Sequence, residues 1–189
     1  MFTFESMGRK YKFHDNRKLY FVTFTVVNWL DVFIRDDYRN IVYDSIKFCQ
    51  EKKGLEVYAY CMMTSHIHMI IGTENGVLSD IVRDFKSFTS RHIRKCIENN
   101  MQESRRDWML ELFGLAGQNN PRNNDFQFWQ QHNHPIELCN LAMAKQRLDY
   151  IHNNPVEAGF VEKAEEWLHS SAGDYYGVRK GRIELIFIE

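Results

Sequence analysis

Residues 20–27, YFVTFTVV, are all aromatic or β-branched and predict a strand. The period then lengthens to that of a helix. In 36–54, Ile41, Val42, Ser45, Ile46 and Cys49 share one face. Asp36 and Asp37 stand at its start and Lys52, Lys53 and Gly54 at its end, the order a helix dipole and a C-cap favour. Alternation returns in LEVYAYCM (55–62), MTS turns the chain, and HIHMIIG (66–72) predicts a third strand. Residues 78–100 carry a second helical stripe of Leu78, Ile81, Val82, Phe85, Phe88, Thr89, His92, Ile93 and Cys96 or Ile97.

Ser104 and Asp107 resemble a capping box opening a short helix that Gly114 or Gly117 ends. GQNNPRNND (117–125) predicts a loop, FQFWQ (126–130) a fourth strand, and Pro135 the first position of a third long helix. IELIFI near the C-terminus predicts a last strand. The order β-α-β-β-α-(α)-β-α predicts an α+β, ferredoxin-like βαββαβ antiparallel sheet with an appended C-terminal helix. One domain is expected over 1–189, with a core of about 18–162 and a C-terminal extension of about 163–189.

Composition changes this picture little. The 189 residues are 44% hydrophobic, 14% aromatic and 26% charged, enough for a sizeable core. A formal net charge of −1 neither suggests nor excludes a nucleic-acid partner, because local patches set the field a ligand meets. Cys49, Cys61, Cys96 and Cys139 form no C-x-x-C and read as thiols rather than disulfides or a zinc cluster. No signal peptide and no membrane span is recognisable, so a soluble cytoplasmic protein is expected.

Candidate chemistry begins in the third strand. Residues i and i+2 of a strand point to one face, so His66 and His68 project together while Ile67 and Met69 face the other layer. The pair reads either as two ligands of a divalent cation that needs a third from elsewhere, or as two hydrogen-bonded histidines. His132 and His134 form a second H-x-H, which reads as structural. On the third long helix Leu141, Ala144, Leu148 and Ile151 make the apolar stripe. Met143, Arg147, Tyr150 and Asn154 lie along an adjacent face, with Pro155 drawing Asn154 away from helical geometry. Tyr150 reads either as a half-buried aromatic or as a reactive phenol.

YCMMTSHIHMIIG, followed by FWQQHNHPIEL, LDYIHNNPVEAGFV and WLHSSAGDYYG, closely resembles the single-tyrosine HUH transposases, which include the insertion-sequence and REP-associated tyrosine transposases. The resemblance runs from YFVTFTVV to SSAGDYYG, and the order of the motifs is more specific than any one of them. It implies cleavage and joining of single-stranded, hairpin-containing DNA. It further implies a divalent metal ion, Mg²⁺ or Mn²⁺, on His66, His68 and Asn154, with Tyr150 as the nucleophile. Asn154 stands where many relatives have the longer Gln. A homodimer that exchanges the tyrosine helix and a monomer are both consistent with the family.

The chemistry suits the residues. A phenol with a pKa near 10 is a poor nucleophile at neutral pH. A metal ion on the non-bridging oxygens makes phosphorus more electrophilic. A covalent 5′-phosphotyrosine conserves the bond for rejoining, which hydrolysis would not. Phosphate contacts are expected from Arg83, Lys86, Arg91 and Arg94 on the second helix, with Lys86 the first choice, although each also reads as part of a solvated face. Arg105, Arg106, Arg179, Lys180 and Arg182 are further candidates, and Trp129 or Tyr176 could stack bases. Two other functions fit parts of the pattern: a DNA-binding relative without cutting activity, and a metal hydrolase using Glu56.

Overall fold

In the computed structural model, which describes residues 13–120, 125–131 and 133–189, four strands form one antiparallel sheet. They are β1 (Tyr20–Thr25), β2 (Leu55–Met62), β3 (His66–Thr73) and β4 (Ile136–Glu137), in the order β2-β3-β1-β4. The helices are α1 (Asp36–Lys53), α2 (Leu78–Asn99), α3 (Arg106–Gln118), α4 (Leu141–Glu157) and the four-residue α5 (Ala172–Tyr175). The fold is α+β and ferredoxin-like in strand order.

Side-chain alternation divides the sheet into two differently used faces. Val22, Phe24, Ile67, Met69 and Ile71 enter the larger core with Val42, Ile46, Ile81, Val82 and Phe85 of α1 and α2. Phe21, Ala59, Cys61 and Ile70 point the other way and meet Ala144, Leu148 and Ile151 of α4. Each Val, Leu, Ile, Phe or Met among them contributes about 1.5–3 kcal/mol on full burial. The amphipathic stripe of α4 therefore anchors that helix across β2 and β3. Gly54, left-handed at φ 69°, ends α1 and permits the sharp entry into β2.

Several expectations are corrected. FQFWQ is not the fourth strand: it makes one isolated bridge, Val26 to Trp129, and the consecutive Phe128 and Trp129 are both buried. Two neighbouring side chains enter the core because the segment lies against α2, where the Trp129 indole donates to Thr89 Oγ1 at 2.9 Å. The strand role passes to Ile136–Glu137, immediately after Pro135. Consequently α4 starts at Leu141 rather than near Pro135, capped by Asn140, whose side chain accepts from the Met143 amide at 2.9 Å. Leu141 is exposed rather than part of the stripe. The helix continues through Pro155 to Glu157, because a proline one turn from the end removes only one late hydrogen bond.

Further along the chain, α3 has no side-chain cap and runs past Gly114 and Gly117 to Gln118. Phe88 and His92 leave the predicted stripe of α2 and stack on each other at the surface, 3.7 Å between ring centroids. IELIFI forms no strand. It follows the free edge of β2 through a single ladder-like bond, Ile186 N–H to the Val57 carbonyl at 3.0 Å. The other half of that edge is taken by the Met62 amide on His169 and the Ser171 amide on Tyr60. Cys49 and Cys61 are buried thiols, whereas Cys139 is exposed. Among the described residues no helix is long and apolar enough to cross a membrane.

Candidate active site

The face of the sheet turned toward α4 carries the histidine pair. Antiparallel register sets Thr23 of β1 opposite His68 and Thr25 opposite His66. The two imidazoles lie 4.7 Å apart at 73°. Each uses Nδ1 on a neighbouring hydroxyl: His68 with Thr23 Oγ1 at 2.9 Å and His66 with Ser65 Oγ at 3.2 Å. With Nδ1 protonated and donating to the hydroxyl, the other ring nitrogen of each histidine keeps its lone pair.

The tyrosine helix closes over this pair within the same chain. The Tyr150 ring stands 5.2 Å from His68 and 5.8 Å from Phe21, edge-on to both. Tyr150 is 37% exposed, so its hydroxyl has access to a ligand arriving from solvent. One turn later the Asn154 side chain comes within reach of His66. One turn earlier the Arg147 guanidinium lies 5.0 Å over the Phe21 ring and 6.0 Å from the Tyr150 ring.

Electrostatics keep both imidazoles neutral. Burial, then the neighbouring His66 and Arg147, push His68 down to about 3. Burial also lowers His66, opposed by the Asn154 amide oxygen, which favours a protonated ring nitrogen, and by the field of Asp31. Neutral imidazole is the ligating form, so two ring nitrogens and the Asn154 amide oxygen make a donor set that fits a divalent cation. Among the described residues no group of three His, Cys, Asp or Glu side chains is poised around a metal, and the third donor here is an amide. His152, two residues beyond Tyr150, turns the opposite way and bonds Ser171 Oγ at 2.8 Å. It belongs to the packing beneath the helix.

The four α2 cations are not brought to the histidines, because that helix covers the opposite face of the sheet. Lys86 donates to the Gln130 carbonyl and to Asn133 Oδ1, both at 2.7 Å, and burial lowers it to about 8. It anchors the segment that reaches β4. Arg83 pairs with Asp80 and Asp84, and Arg94 lies 4.4 Å over Phe126 and pairs with Glu98. Arg91 is exposed and bonds the Ser87 carbonyl of its own helix. Trp129, proposed for base stacking, is 4% exposed, while Tyr176 is exposed but lies beyond α5. Glu56 pairs with Gly72 at the far end of β3 and accepts from the Tyr58 hydroxyl, away from His66 and His68. His132 lies outside the described residues. Three neighbours of the pair were not singled out from sequence: Thr23, Ser65 and Trp29. Thr23 was legible only as one of several strand threonines.

Residues 18–111 match the family described as transposase, IS200-like. A search of curated proteins by sequence returns no match. Among solved structures the chain is similar to a REP-associated tyrosine transposase bound to a REP hairpin, with 17% identity and a TM-score of 0.65. That alignment covers 92% of this chain and 89% of the other. A crystal structure of a candidate transposase from Deinococcus radiodurans is 16% identical over 77% of this chain and 95% of that one, with a TM-score of 0.41.

Proposed function

Because this chain belongs to the IS200-like transposase family, we propose that it cuts and rejoins single-stranded DNA through Tyr150. His66, His68 and Asn154 hold a divalent ion, Mg²⁺ or Mn²⁺, in this reading. The observation that carries it is the convergence in one chain of a paired imidazole ledge, an amide side chain within reach of it, and a partly exposed tyrosine 5.2 Å from His68.

Tyr150 supplies the phenolic oxygen that attacks phosphorus. The new bond is Tyr150 Oη–P and the bond that breaks is P–O3′. The phenol proton leaves to solvent, and the departing O3′ takes a proton to become a free hydroxyl. Attack by a second 3′-hydroxyl on the 5′-phosphotyrosine reverses the step and joins a new strand. When bound, the metal ion withdraws charge from the non-bridging oxygens of the phosphate. Thr23 and Ser65 hold the imidazoles in the ligating tautomer. Arg147 adds a fixed positive charge beside Tyr150, suited to the phosphate under attack or its neighbour. The donor set and the nucleophile come from one chain, so the reading requires no exchange of α4 between subunits. The structural relative was solved with a hairpin, and hairpin-bearing single strands are the proposed substrate class here too.

The test is incubation with labelled hairpin DNA carrying single-stranded flanks, in Mg²⁺ or Mn²⁺, followed by denaturing electrophoresis. The wild-type protein is expected to form a covalent adduct. Tyr150→Phe is expected to abolish the adduct and to bind DNA within a few-fold of wild type. Adduct formation by Tyr150→Phe at the wild-type level would sink the assignment.

A further inference from the structure

The loop after β1 presents a tryptophan beside the histidine pair. Asn28 and Trp29 both adopt left-handed backbone, at φ 56° and φ 54°. Asparagine tolerates that region, but a tryptophan there is uncommon and strained. The conformation is held from both sides. Trp29 N–H bonds the Val26 carbonyl at 3.1 Å, and Val26, Val27, Leu30 and Val32 are all buried. The Val26 amide to Ser65 at 2.9 Å and the Phe33 amide to Thr64 at 2.8 Å tie the loop to the turn that leads into His66. Trp29 and His66 are thereby fixed relative to each other.

This strain does not serve the core. Trp29 is 58% exposed, and its ring meets His66 at 74° with 5.3 Å between centroids. An edge-on contact leaves much of a large aromatic surface in water, which is unfavourable unless a ligand covers it. Trp29 flanks His66 on one side, and Tyr150 flanks His68 on the other. Backbone outliers fixed by their surroundings are characteristic of ligand clamps. Among the described residues, the ring contacts of the two histidines are with Phe21, Trp29, Tyr150 and each other, and not with exposed aromatics such as Trp108 of α3 or Tyr176 after α5.

We propose that Trp29 is the stacking platform for an unpaired nucleobase next to the phosphate that Tyr150 attacks. The proposal rests on the reading of His66, His68 and Tyr150 given above. Stacking on one indole grips a strand without hydrogen-bond readout, so the platform sets where the strand lies more than which base it carries. It complements the metal ligands, which hold the phosphate and leave the adjacent base unconstrained.

Equilibrium binding tests it in the Tyr150→Phe background, where no covalent step intervenes. Single-stranded oligonucleotides with an abasic site scanned along the sequence are bound to proteins carrying Trp29, Trp29→Phe or Trp29→Ala. Trp29→Ala is expected to weaken binding about tenfold or more, with Trp29→Phe retaining most of the affinity. One abasic position should cause a similar loss with Trp29 present and little further loss with Trp29→Ala. A 2-aminopurine at that position should be quenched by the protein with Trp29 and not by Trp29→Ala. Trp29→Gly accommodates the left-handed backbone, and it replaces Trp29→Ala if that variant misfolds. Unchanged affinity of the variants, or losses that add in full at every abasic position, overturns the platform. Absence of adduct from the Tyr150 protein overturns the strand-transfer reading instead, and the binding cycle still decides the role of Trp29.

Discussion

Thr23→Val removes one oxygen from beneath the histidine pair and replaces it with a methyl group of nearly the same size. In the native protein Thr23 Oγ1 lies 2.9 Å from His68 Nδ1, and His68 is buried. The substitution leaves a buried ring nitrogen without its partner, which costs about 1–3 kcal/mol of stability. It also releases the tautomer: without the hydroxyl as acceptor, the ring proton is free to sit on the nitrogen that the metal ion needs. Loss of such an outer partner typically weakens metal binding about 10–100-fold. Two measurements separate these effects. Urea unfolding should show a loss of about 1–3 kcal/mol. Adduct formation against Mn²⁺ concentration should show half-saturation displaced upward about tenfold or more, with the rate at saturating metal nearly unchanged. Thr23→Ser, which restores the hydroxyl, should recover most of both. A variant that is less stable but has unaltered metal dependence would refute the claim that Thr23 orients a ligand.

Two further variants probe residues away from the site. Burial alone would raise the Glu103 carboxyl, but hydrogen bonds from the side chain and backbone of Arg105 and from Arg35 bring it from 4.5 to about 2. Its contribution is therefore present above about pH 4.5 and is lost as pH falls toward 2, so Glu103→Gln should destabilise by about 2 kcal/mol at pH 7 and progressively less in acid unfolding experiments. Lys86→Met should cost about 1–2 kcal/mol by releasing the Gln130 carbonyl and Asn133. It should leave the salt dependence of DNA affinity unchanged, whereas loss of a phosphate contact lowers that slope.

The parts of the fold legible in sequence are those whose burial repeats with the local period. β1, β3, α1 and α2 each put a regular stripe into the larger core, β2 does so on either side of a phase shift between Val57 and Ala59, and their bounds fall close to the predicted ones. The fourth strand was misplaced because FQFW has strand composition for another reason: its rings fill the space between α2 and α3. The real β4 is two residues long, too short to have a period. IELIFI has the composition of a strand, but much of the β2 edge is already bonded to residues 169–171, and β2 has a register shift between Val57 and Ala59. A ladder needs a continuous row of free edge groups, and one of its two strands lacked it.

The grouping of His66, His68, Tyr150 and Asn154 was suggested by period and motif, whereas Trp29 carried no such signal. The difference is physical. His66 and His68 share a face because they stand two apart on β3, and Tyr150 and Asn154 share one because they stand four apart on α4. The direction of Trp29 depends instead on two backbone angles in a non-repeating loop, stabilised by contacts to Ser65 and Thr64 distant in sequence. The same division runs through the sheet. The α1–α2 face of the sheet is closed by large apolar side chains. The α4 face is only partly covered, since the helix packs by Ala144, Leu148 and Ile151 and turns Tyr150 outward. A helix laid over one part of a sheet face leaves polar strand positions open beside it. The histidine pair lies at that margin, His66 partly exposed and His68 buried, under a tyrosine whose helix is held in place by the apolar residues on its other side.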